Sequence, residues 1–439
     1  MTAAAIARGN LLSRLKRKNF TAAVIGLGYV GLPLAVEYAD AGINVIGIDI
    51  DGVKVRTIRE GKSYIGDVPS ETIKRVVEAG LLRTTTDFSA LAEADTVNIC
   101  VPTPLRKTKD PDLSYIVSAA EQVAKYIHKD MLIVLESTTY PGTTEEVLVP
   151  MFEKKGFKVG RDIFLAFSPE RVDPGNPQYT TKNIPKVVGG VTERCSKMAA
   201  TLYGGVLQNV HPVSCSVVAE MVKLLENTFR SVNIGLVNEI ALMCDRMGID
   251  VWEVVDAAKT KPFGFMAFYP GPGIGGHCIP LDPFYLSWKA KQYGFESRFI
   301  ELAGVINGQM PHFVVGKVVD ALNRFRKSIN GAKILILGVA YKRNISDVRE
   351  SPALDIIQLL ANKGAILSYC DPHVPVLDEH GIRMKAEKFS ASAIRKADCV
   401  VLIADHDKFD YRMVARESKV VVDTRNALKG HTGPNIIKL

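Results

Sequence analysis

One cysteine of this chain lies in a segment whose composition suits nucleophilic chemistry. Residues 270–283 read PGPGIGGHCIPLDP, so four glycines precede Cys278. Backbone N–H groups that no side chain covers bind phosphate or lower the pKa of a nearby thiol. The spacing alone is equally compatible with a buried, unreactive cysteine. His277 adjoins Cys278, and because neighbouring side chains seldom point the same way we interpret His277 as structural.

A polar stripe forms a second candidate site. Lys223, Asn227 and Arg230 are spaced by four and three residues, so in a helix they share one face. A solvated surface stripe is one explanation of this pattern. The other explanation is chemical, because the surrounding segment is largely apolar and a lysine beside an asparagine can stabilise an oxyanion or a hydrated carbonyl.

A glycine-rich turn indicates a dinucleotide site. Residues 26–31 read GLGYVG and follow a short apolar run. In a strand–turn–helix unit, Gly26 permits the tight turn, Gly28 lets the backbone approach a pyrophosphate, and Gly31 allows the helix to pack closely on the strand. The pyrophosphate then binds the N–H groups at the start of the helix.

An acidic residue after the next apolar run extends this signature. Asp49 lies 18 residues beyond Gly31, where a carboxylate binds the ribose hydroxyls. A carboxylate repels a 2′-phosphate and no arginine directly follows it, so the sequence predicts NAD rather than NADP. The alternative is that Asp49 only begins the turn at residues 51–52.

These motifs need elements that position them, and the sequence predicts an α/β fold. Short β-branched runs alternate with helical stretches from Phe20 to about residue 210, which indicates a doubly wound parallel sheet. The predicted strands are residues 22–25, 44–49, 96–101, 132–136, 163–167 and 186–189, with helices at 31–41 and 113–126 among them.

Residues 216–247 predict one long helix. They contain no proline and one glycine, and apolar residues recur at helical spacing. This length exceeds that of ordinary globular helices. We therefore predict that the helix joins two domains and that a second copy of the chain packs against it, as a homodimer or a higher homo-oligomer.

A second α/β unit follows this helix. Its predicted strands are residues 332–338, 366–370, 399–403 and 420–422, with helices near 351–363 and 390–396. The predicted fold class is therefore α/β, with two Rossmann-like doubly wound domains joined by a long central helix in a helical middle domain. The predicted domains are residues 1–212, 213–315 and 316–439. The second unit lacks the GxGxxG pattern, and its cationic loop after Gly338 predicts a different phosphate ligand.

Composition limits the classes of function. At about 150 residues per domain, 439 residues correspond to two or three domains. Hydrophobic residues make up 47% and charged residues 23%, as in a folded globular chain. The net charge of +8 suits anionic small molecules, but it is too scattered to predict nucleic acid. Seven cysteines without a CxxC pair argue against a disulfide framework or a metal site.

The sequence also predicts a cytoplasmic protein with no membrane association. No apolar run is long enough for a membrane span. The N-terminus lacks the long apolar region of a signal peptide, because Arg14 and residues 16–18 add four positive charges soon after Leu12.

The ordered motifs resemble those of one enzyme family, the UDP-glucose/GDP-mannose dehydrogenases. These enzymes oxidise the C6 alcohol of a nucleotide sugar to a carboxylate in a four-electron reaction. The resemblance covers almost the whole chain. It is carried by residues 26–31, 101–104 (VPTP), 136–138 (EST), 168–172 (SPERV), 223–227 (KLLEN), 275–278 (GGHC) and 347–352 (DVRESP).

The resemblance implies a role for each matched position. Cys278 would be the thiolate that captures the aldehyde, while Lys223 and Asn227 would stabilise the oxyanion. Asp282 and Thr138 would handle protons or position water, with Glu170 nearby. The implied cofactor contacts, besides the motif glycines, are Tyr29, Val30, Asp49, Lys54, Thr103, Thr138 and Arg349. The implied substrate contacts are Arg171, Val172, Lys223, Asn227, Arg230, Gly275, Lys342 and Arg343.

Departures from the family pattern bear on which nucleotide sugar is the substrate. Members that act on UDP-glucose typically carry GSCFPKD at the nucleophile, whereas here His277 precedes the cysteine and Leu281 replaces the lysine. Pro174 replaces a second glutamate, which leaves any handling of water to Glu170 alone. Residues 267–278 and 297–304 are most similar to the prokaryotic branch that oxidises UDP-N-acetylglucosamine for surface polysaccharide synthesis.

Several alternatives stay open from the sequence. Within the family, the substrate could instead be UDP-N-acetylmannosamine, UDP-N-acetylgalactosamine, UDP-glucose or GDP-mannose. An ordinary two-electron dehydrogenase of hydroxy acids would share the N-terminal fold but would need no thiol. A redox sensor that binds NAD without catalysis would share it too. The covalent route through Cys278, with a thiohemiacetal and then a thioester, distinguishes the first class from the others.

Overall fold

The computed structural model describes residues 10–66, 68–105, 110–172, 178–276 and 278–439. The chain divides into two compact units, Met1–Glu226 and Asn227–Leu439. His277 and Pro174, on which two of the sequence inferences rest, lie outside the described residues.

The first unit is an α/β layer structure. Its strands are β1 (Thr21–Ile25), β2 (Asn44–Ile48), β3 (Leu82–Thr85), β4 (Thr96–Ile99), β5 (Leu132–Leu135), β6 (Phe164–Phe167), β7 (Lys186–Gly190) and β8 (Val210–Pro212). Its helices are α1 (Leu11–Arg17), α2 (Gly31–Asp40), α3 (Gly52–Arg59), α4 (Ser70–Glu78), α5 (Ser114–Tyr126), α6 (Val149–Glu153) and α7 (Glu193–Gly204), with a 3₁₀ helix at Phe88–Glu93 and a π-helical turn at Thr144–Leu148.

The strands form one sheet in the order β3-β2-β1-β4-β5-β6-β7-β8. Its first six strands follow the order of a dinucleotide-binding fold and pair in parallel. The central strands β4, β5 and β6 are buried at every position. Such continuous burial is typical of a parallel sheet that helices cover on both faces.

One strand departs from the predicted parallel arrangement. β7 pairs antiparallel with β6, with Phe167 opposite Gly189. The first residue of β7, Lys186, therefore lies at the same edge of the sheet as the carboxyl ends of the parallel strands. Open α/β sheets bind their ligands at that edge.

The long helix α8 (Ser216–Met247) has the bounds that the sequence predicts. Its 32 residues correspond to a length of about 48 Å. It ends before Gly248, whose φ of 69° is the left-handed conformation that commonly terminates helices. Among the helices of the described segments, none combines the length and the hydropathy that a membrane span requires.

The second unit carries a smaller parallel sheet. Its strands are β9 (Lys333–Leu337), β10 (Ile366–Cys370), β11 (Val376–Glu379), β12 (Ile382–Lys385), β13 (Cys399–Leu402), β14 (Val421–Asp423) and β15 (Ile436–Lys438). Its further helices are α9 (Val251–Ala258), α10 (Asp282–Gln292), α11 (Arg298–Arg324), α12 (Pro352–Asn362), α13 (Ala391–Lys396) and α14 (Tyr411–Glu417). The sheet order is β10-β9-β13-β14-β15, and β11 and β12 form a separate hairpin.

The predicted fold class is confirmed. In each sheet the strand order runs outwards in both directions from its first strand, β1 or β9, as in a doubly wound fold. The helical segment from α8 to α11 separates the two sheets in sequence. The domain boundaries at residues 212 and 315 stay predictions.

Candidate functional site

The glycine-rich turn between β1 and α2 has the geometry that a bound pyrophosphate requires. Gly26 has a φ of 90°, and a Cβ atom there would lie 2.6 Å from the carbonyl oxygen of Cys100. A Cβ atom on Gly31 would lie 1.9 Å from the carbonyl oxygen of Gly26. Because only glycine fits at both positions, the chain can turn this tightly.

The start of α2 is open to a ligand. Among the described residues, no atom outside the adjoining chain lies within 4 Å of a Cβ built on Gly28. The first turn also has no side-chain cap at Val30. The N–H groups of this turn can therefore bind an anion, and the site fits the pyrophosphate of a dinucleotide.

Asp49 is fixed beside this turn. It is 6% exposed, and its two oxygens accept hydrogen bonds from the N–H groups of Leu27 at 2.8 Å and Asp51 at 2.9 Å. Lys54 Nζ lies 3.5 Å from the carboxylate. Each carboxylate oxygen can accept a further hydrogen bond, so the group can bind ribose hydroxyls.

The second unit contains a similar turn, but the carboxylate beside it is fully used by hydrogen bonds within the protein. Gly338 has a φ of 79°, and Val339 N donates to Asp371 Oδ2 at 2.7 Å, as Leu27 N does to Asp49. Asp371 also accepts hydrogen bonds from Ala340 N, His373 N, Val374 N and His406 Nε2. Five donors saturate a carboxylate, so this turn offers no equivalent ribose contact.

Two predicted catalytic residues meet in the first unit. Lys223 is 8% exposed, and its Nζ donates to the backbone carbonyl of Glu170 at 2.9 Å. Glu170 Oε1 accepts from the N–H groups of Arg171 and Val172, both at 2.8 Å. Burial alone would raise the pKa of the Glu170 carboxyl, but the Lys186 ammonium, those two N–H groups and Lys223 together lower it. Glu170 is therefore an anion at neutral pH.

Lys186 is a site residue that no sequence motif reveals. It is 2% exposed, and its Nζ lies 2.6 Å from Glu136 Oε2 and 3.2 Å from Glu170 Oε2. The other oxygen of Glu136 accepts hydrogen bonds from Asn98 Nδ2 and Tyr203 OH, both at 2.7 Å. The glutamate of the EST motif therefore serves a buried polar cluster.

The other predicted contacts of the first unit lie around the same edge of the sheet. Arg171 Nη2 pairs with Glu226 Oε1 at 2.6 Å. Ser137 Oγ donates to the carbonyl oxygen of Val101 at 2.8 Å, which ties together the segments that follow β4 and β5. These segments carry Thr103, which is buried, and Thr138, which is half-buried, whereas Tyr29 is exposed and Val30 and Val172 are half-buried.

The cysteine loop is pinned within the second unit. The N–H of Gly271 donates to Asn238 Oδ1 at 3.0 Å, and Asn238 is fully buried on α8. The N–H of Gly276 donates to the carbonyl oxygen of Arg349 at 3.1 Å. A Cβ atom on Gly275 would lie 2.6 Å from Tyr341 Cβ, so this segment packs too closely for any larger residue. The Cys278 side chain is exposed.

Three predicted catalytic residues come together in the second unit. The backbone N–H of Asp282 donates to the carbonyl oxygen of Cys278 at 2.8 Å. Asn227 Nδ2 donates to Asp282 Oδ2 at 2.6 Å, and this carboxyl group is 3% exposed. The contact links α8 directly to the start of α10, just after the cysteine.

Cationic residues cluster after the strands of the second sheet. Lys342 and Arg343 follow β9. Arg343 Nη1 lies 3.8 Å from Asp405 Oδ2, and Arg343 Nη2 pairs with Asp407 Oδ1. Arg349 forms a bidentate pair with Asp347, at 3.0 Å and 2.6 Å. Arg230 is exposed on α8.

Arg425 is a further candidate that sequence motifs do not reveal. It follows β14, and its Nε donates to the carbonyl oxygen of Ile403 at 2.8 Å. Burial lowers the pKa of its guanidinium, and the nearby Asp405 and Asp423 carboxylates counteract only part of this effect. A half-buried cation at the carboxyl end of a parallel sheet suits a phosphate ligand.

The predicted site residues therefore divide between the two units. The first unit holds the glycine-rich turn, Thr138, Glu170 and Lys223, whereas the second holds Asn227, Cys278 and Asp282.

Three successive segments of the chain match three domains of one family. Residues 20–207 match the NAD-binding domain of the UDP-glucose/GDP-mannose dehydrogenase family, residues 217–309 its central domain and residues 335–430 its UDP-binding domain. This chain belongs to that family. As a UDP-glucose/GDP-mannose dehydrogenase, it is an NAD-dependent oxidoreductase that acts on nucleotide sugars. The predicted enzyme class and cofactor are confirmed, and the hydroxy-acid dehydrogenase and the non-catalytic sensor are excluded.

Relatives within the family differ in the sugar for which they are named. The chain is 38% identical over 370 residues to the UDP-N-acetyl-D-glucosamine 6-dehydrogenase of Pseudomonas aeruginosa, covering 83% of this chain and 86% of the relative. It is 37% identical over 419 residues to the NDP-N-acetyl-D-galactosaminuronic acid dehydrogenase of Ralstonia solanacearum, covering 92% and 95%. The solved structure of the UDP-N-acetylmannosamine dehydrogenase of Pyrococcus horikoshii superimposes with a TM-score of 0.88 at 33% identity, covering 95% of this chain and 98% of that one.

Proposed function

We propose that this chain catalyses the four-electron oxidation of the C6 alcohol of a UDP-N-acetylhexosamine to the corresponding uronate, with UDP-N-acetylglucosamine as the substrate. The observation that carries the proposal is the cysteine loop. Cys278 is exposed on a segment that Asn238 and Arg349 pin, one turn ahead of Asp282. A two-electron alcohol dehydrogenase has no use for a thiol held in this way, whereas oxidation of an aldehyde needs an added nucleophile.

The chemistry proceeds through a covalent adduct on Cys278. Its thiolate adds to the C6 aldehyde that the first oxidation produces and forms a thiohemiacetal. Loss of a hydride from C6 of this adduct leaves a thioester, which water cleaves to the uronate and the thiol. The Lys223 ammonium and the Asn227 amide stabilise the oxyanion in these steps. Thr138, Glu170 and Asp282 orient the water or transfer protons.

NAD, when bound, accepts one hydride from C6 in each of the two oxidations. The open first turn of α2 and the fixed carboxylate of Asp49 support a pyrophosphate and a ribose at this position. The residues proposed to hold the dinucleotide are Gly26, Gly28, Tyr29, Val30, Gly31, Asp49, Lys54, Thr103, Thr138 and Arg349.

The nucleotide sugar is proposed to bind through cationic and backbone groups. These are Arg171, Val172, Lys223, Asn227, Arg230, Gly275, Lys342 and Arg343, to which we add Arg425. The match of residues 335–430 to a UDP-binding domain supports a uridine diphosphate. The proposed domains 1–212, 213–315 and 316–439 each contain one of the three matched segments.

The identity of the hexosamine is tested by a substrate panel. NADH formation is measured with UDP-N-acetylglucosamine, UDP-N-acetylmannosamine, UDP-N-acetylgalactosamine, UDP-glucose and GDP-mannose at equal concentrations. We expect the highest kcat/KM with UDP-N-acetylglucosamine. UDP-N-acetylmannosamine is the second candidate, because a solved structure that superimposes with a TM-score of 0.88 carries that name. Turnover confined to UDP-glucose or GDP-mannose would refute the proposal.

Replacement of Asp49 by asparagine should weaken NAD binding. Hydrogen bonds to a charged group contribute about 1.5–3 kcal/mol, so we expect the KM for NAD to rise by about 10- to 100-fold, with kcat less affected. The matched control is Asp51→Ala, which removes only the cap of α3 and should leave the KM for NAD nearly unchanged. Initial rates with NAD and NADP test both points, and equal use of the two cofactors by the wild type would contradict the assignment.

The exposed face of α8 predicts self-association. Seven large apolar side chains along this helix are each at least 37% exposed, and such a continuous patch is typical of an interface. They are Val218, Met221, Leu225, Phe229, Leu236, Met243 and Met247. Light scattering at micromolar concentration should therefore give at least twice the chain mass of 48.0 kDa. Leu236→Glu should lower that mass, whereas Glu121→Lys, at an exposed position of α5 away from this face, should not. A monomeric wild type would contradict the prediction.

A further inference from the structure

A buried row of alternating charges lies at the carboxyl edge of the first sheet. Its members, in order, are the side chains of Glu136, Lys186, Glu170 and Lys223. None is more than 9% exposed. This charge row ends at Lys223, the lysine to which we assign stabilisation of the oxyanion. Its other end, Glu136, is buried within the unit.

Two features of the topology assemble the charge row. Glu136 directly follows β5, so its side chain lies at the carboxyl edge of the sheet. β7 runs antiparallel to β6 with Phe167 opposite Gly189. Continued three residues further along each chain, the same register sets Lys186 opposite Glu170. In a fully parallel sheet, the first residue of β7 would lie at the opposite edge.

Lys186 is held between two carboxylates. Its Nζ lies 2.6 Å from Glu136 Oε2 and 3.2 Å from Glu170 Oε2. Glu136 is itself fixed, because Asn98 and Tyr203 donate to its other oxygen. The ammonium therefore has a defined position, and it attracts the Glu170 carboxylate to a defined position in turn.

Glu170 passes this constraint to Lys223. Its Oε1 is held by the N–H groups of Arg171 and Val172, so the carboxylate and the adjoining backbone form one rigid turn. The backbone carbonyl of the same residue accepts the hydrogen bond from Lys223 Nζ at 2.9 Å. A displacement of the Glu170 carboxylate would therefore also displace the Glu170 carbonyl oxygen that accepts the hydrogen bond from Lys223.

We propose that Lys186 is a positioning residue for the oxidation: by holding Glu170 in place, it fixes the ammonium group of Lys223 that stabilises the oxyanion. The inference rests on the role assigned to Lys223 in the proposed function. Lys186 itself does not touch the reacting atoms. Without its charge, the buried carboxylates of Glu136 and Glu170 repel each other until one of them takes a proton. Two further titratable groups lie near Lys186 among the described residues: the Cys100 thiol and Tyr203, whose ring centre is 5.4 Å from Lys186 Nζ.

Three variants test the proposal by their effects on kinetics. Lys186→Met should lower kcat by about 10-fold or more, because the oxyanion loses a well-placed donor, while the KM for NAD stays within a few-fold. Lys186→Arg keeps the charge and should recover part of kcat. In the double variant Glu136→Gln, Lys186→Met, only one buried carboxylate of the charge row remains. The repulsion between Glu136 and Glu170, which could unfold the single variant, is therefore absent. In this double variant, the acid limb of the pH profile of kcat should move up by about one unit, because Glu170 then becomes easier to protonate.

The matched control is Arg14→Met. Arg14 pairs with Asp95, a partly buried ion pair of the same unit, but Asp95 precedes β4 and so lies at the amino edge of the sheet. This variant should lose stability without a shift of the pH profile. A folded double variant with the wild-type kcat and pH profile would overturn the proposal.

A second readout needs no substrate. Trace acetylation of Lys223, followed by peptide mass spectrometry, reports how firmly its amine is held. We expect faster labelling in the double variant than in the wild type or in Arg14→Met, and equal labelling would overturn the proposal. If the wild type oxidised no sugar of the panel, the proposed substrate would fail, whereas the labelling would still decide the role of Lys186.

Discussion

Replacement of Cys278 by serine should abolish net formation of the uronate. The serine hydroxyl has a similar shape, but it is hardly ionised at neutral pH and is a far poorer nucleophile. The aldehyde would then lack the adduct from which the second hydride leaves. Any ester that formed would be cleaved more slowly than a thioester, so a covalent acyl-enzyme would accumulate.

The Cys278→Ser variant is tested by product analysis and by intact-protein mass spectrometry after incubation with UDP-sugar and NAD. We expect no uronate and either an unmodified protein or the mass of the ester. The matched control is Cys215→Ser, at a half-buried cysteine just before α8, which should keep full turnover. Turnover of Cys278→Ser like that of the wild type would reduce Cys278 to a packing residue.

Replacement of Lys223 by alanine should be the other severe change. Loss of a single donor to an oxyanion typically lowers kcat by about 10²–10³-fold, or about 2.7–4 kcal/mol of transition-state stabilisation. Because Lys223 is assigned to charge stabilisation and not to the cofactor, the KM for NAD should change little. Initial rates at saturating NAD test this split.

A graded series separates charge from shape at this position. Lys223→Met keeps most of the aliphatic chain, so it should be nearly as slow as Lys223→Ala. Lys223→Arg keeps the charge and should be intermediate, because its planar group cannot occupy the position of a compact ammonium. Equal activity of the methionine variant and the wild type would remove Lys223 from the mechanism.

Local sequence patterns were sufficient for the dinucleotide turn and for the long helix. The turn depends on contacts between residues close in sequence or at the ends of adjacent strands, such as Gly26 with Gly31 and Leu27 with Asp49. The helix of residues 216–247 depends on the absence of proline and on the glycine that follows it. These determinants can be read from spacing and residue type.

Short and polar strands could not be predicted in the same way. β3 (LRTT) has one exposed position, Arg83, among four residues, and β12 (IRMK) alternates half-buried with exposed positions over four residues. β8 is three residues long. Their pairing with a neighbour, and not their own hydrophobicity, defines them as strands.

Side-chain contacts between distant segments also lay beyond the sequence. The Lys186–Glu136 pair joins residues 50 positions apart and depends on the direction of β7. The Asn227–Asp282 contact joins residues 55 positions apart. The sequence assigned both Asn227 and Asp282 to catalysis through a resemblance, but no spacing could predict that the amide of one holds the carboxylate of the other.

A single enzyme is proposed to oxidise the sugar from alcohol to carboxylate through a thioester on Cys278. The most direct measurement is the number of NADH molecules formed per UDP-N-acetylhexosamine consumed, with the product identified by mass spectrometry. We expect two NADH for each uronate and no released aldehyde. One NADH for each sugar, with the aldehyde as the final product, would contradict it.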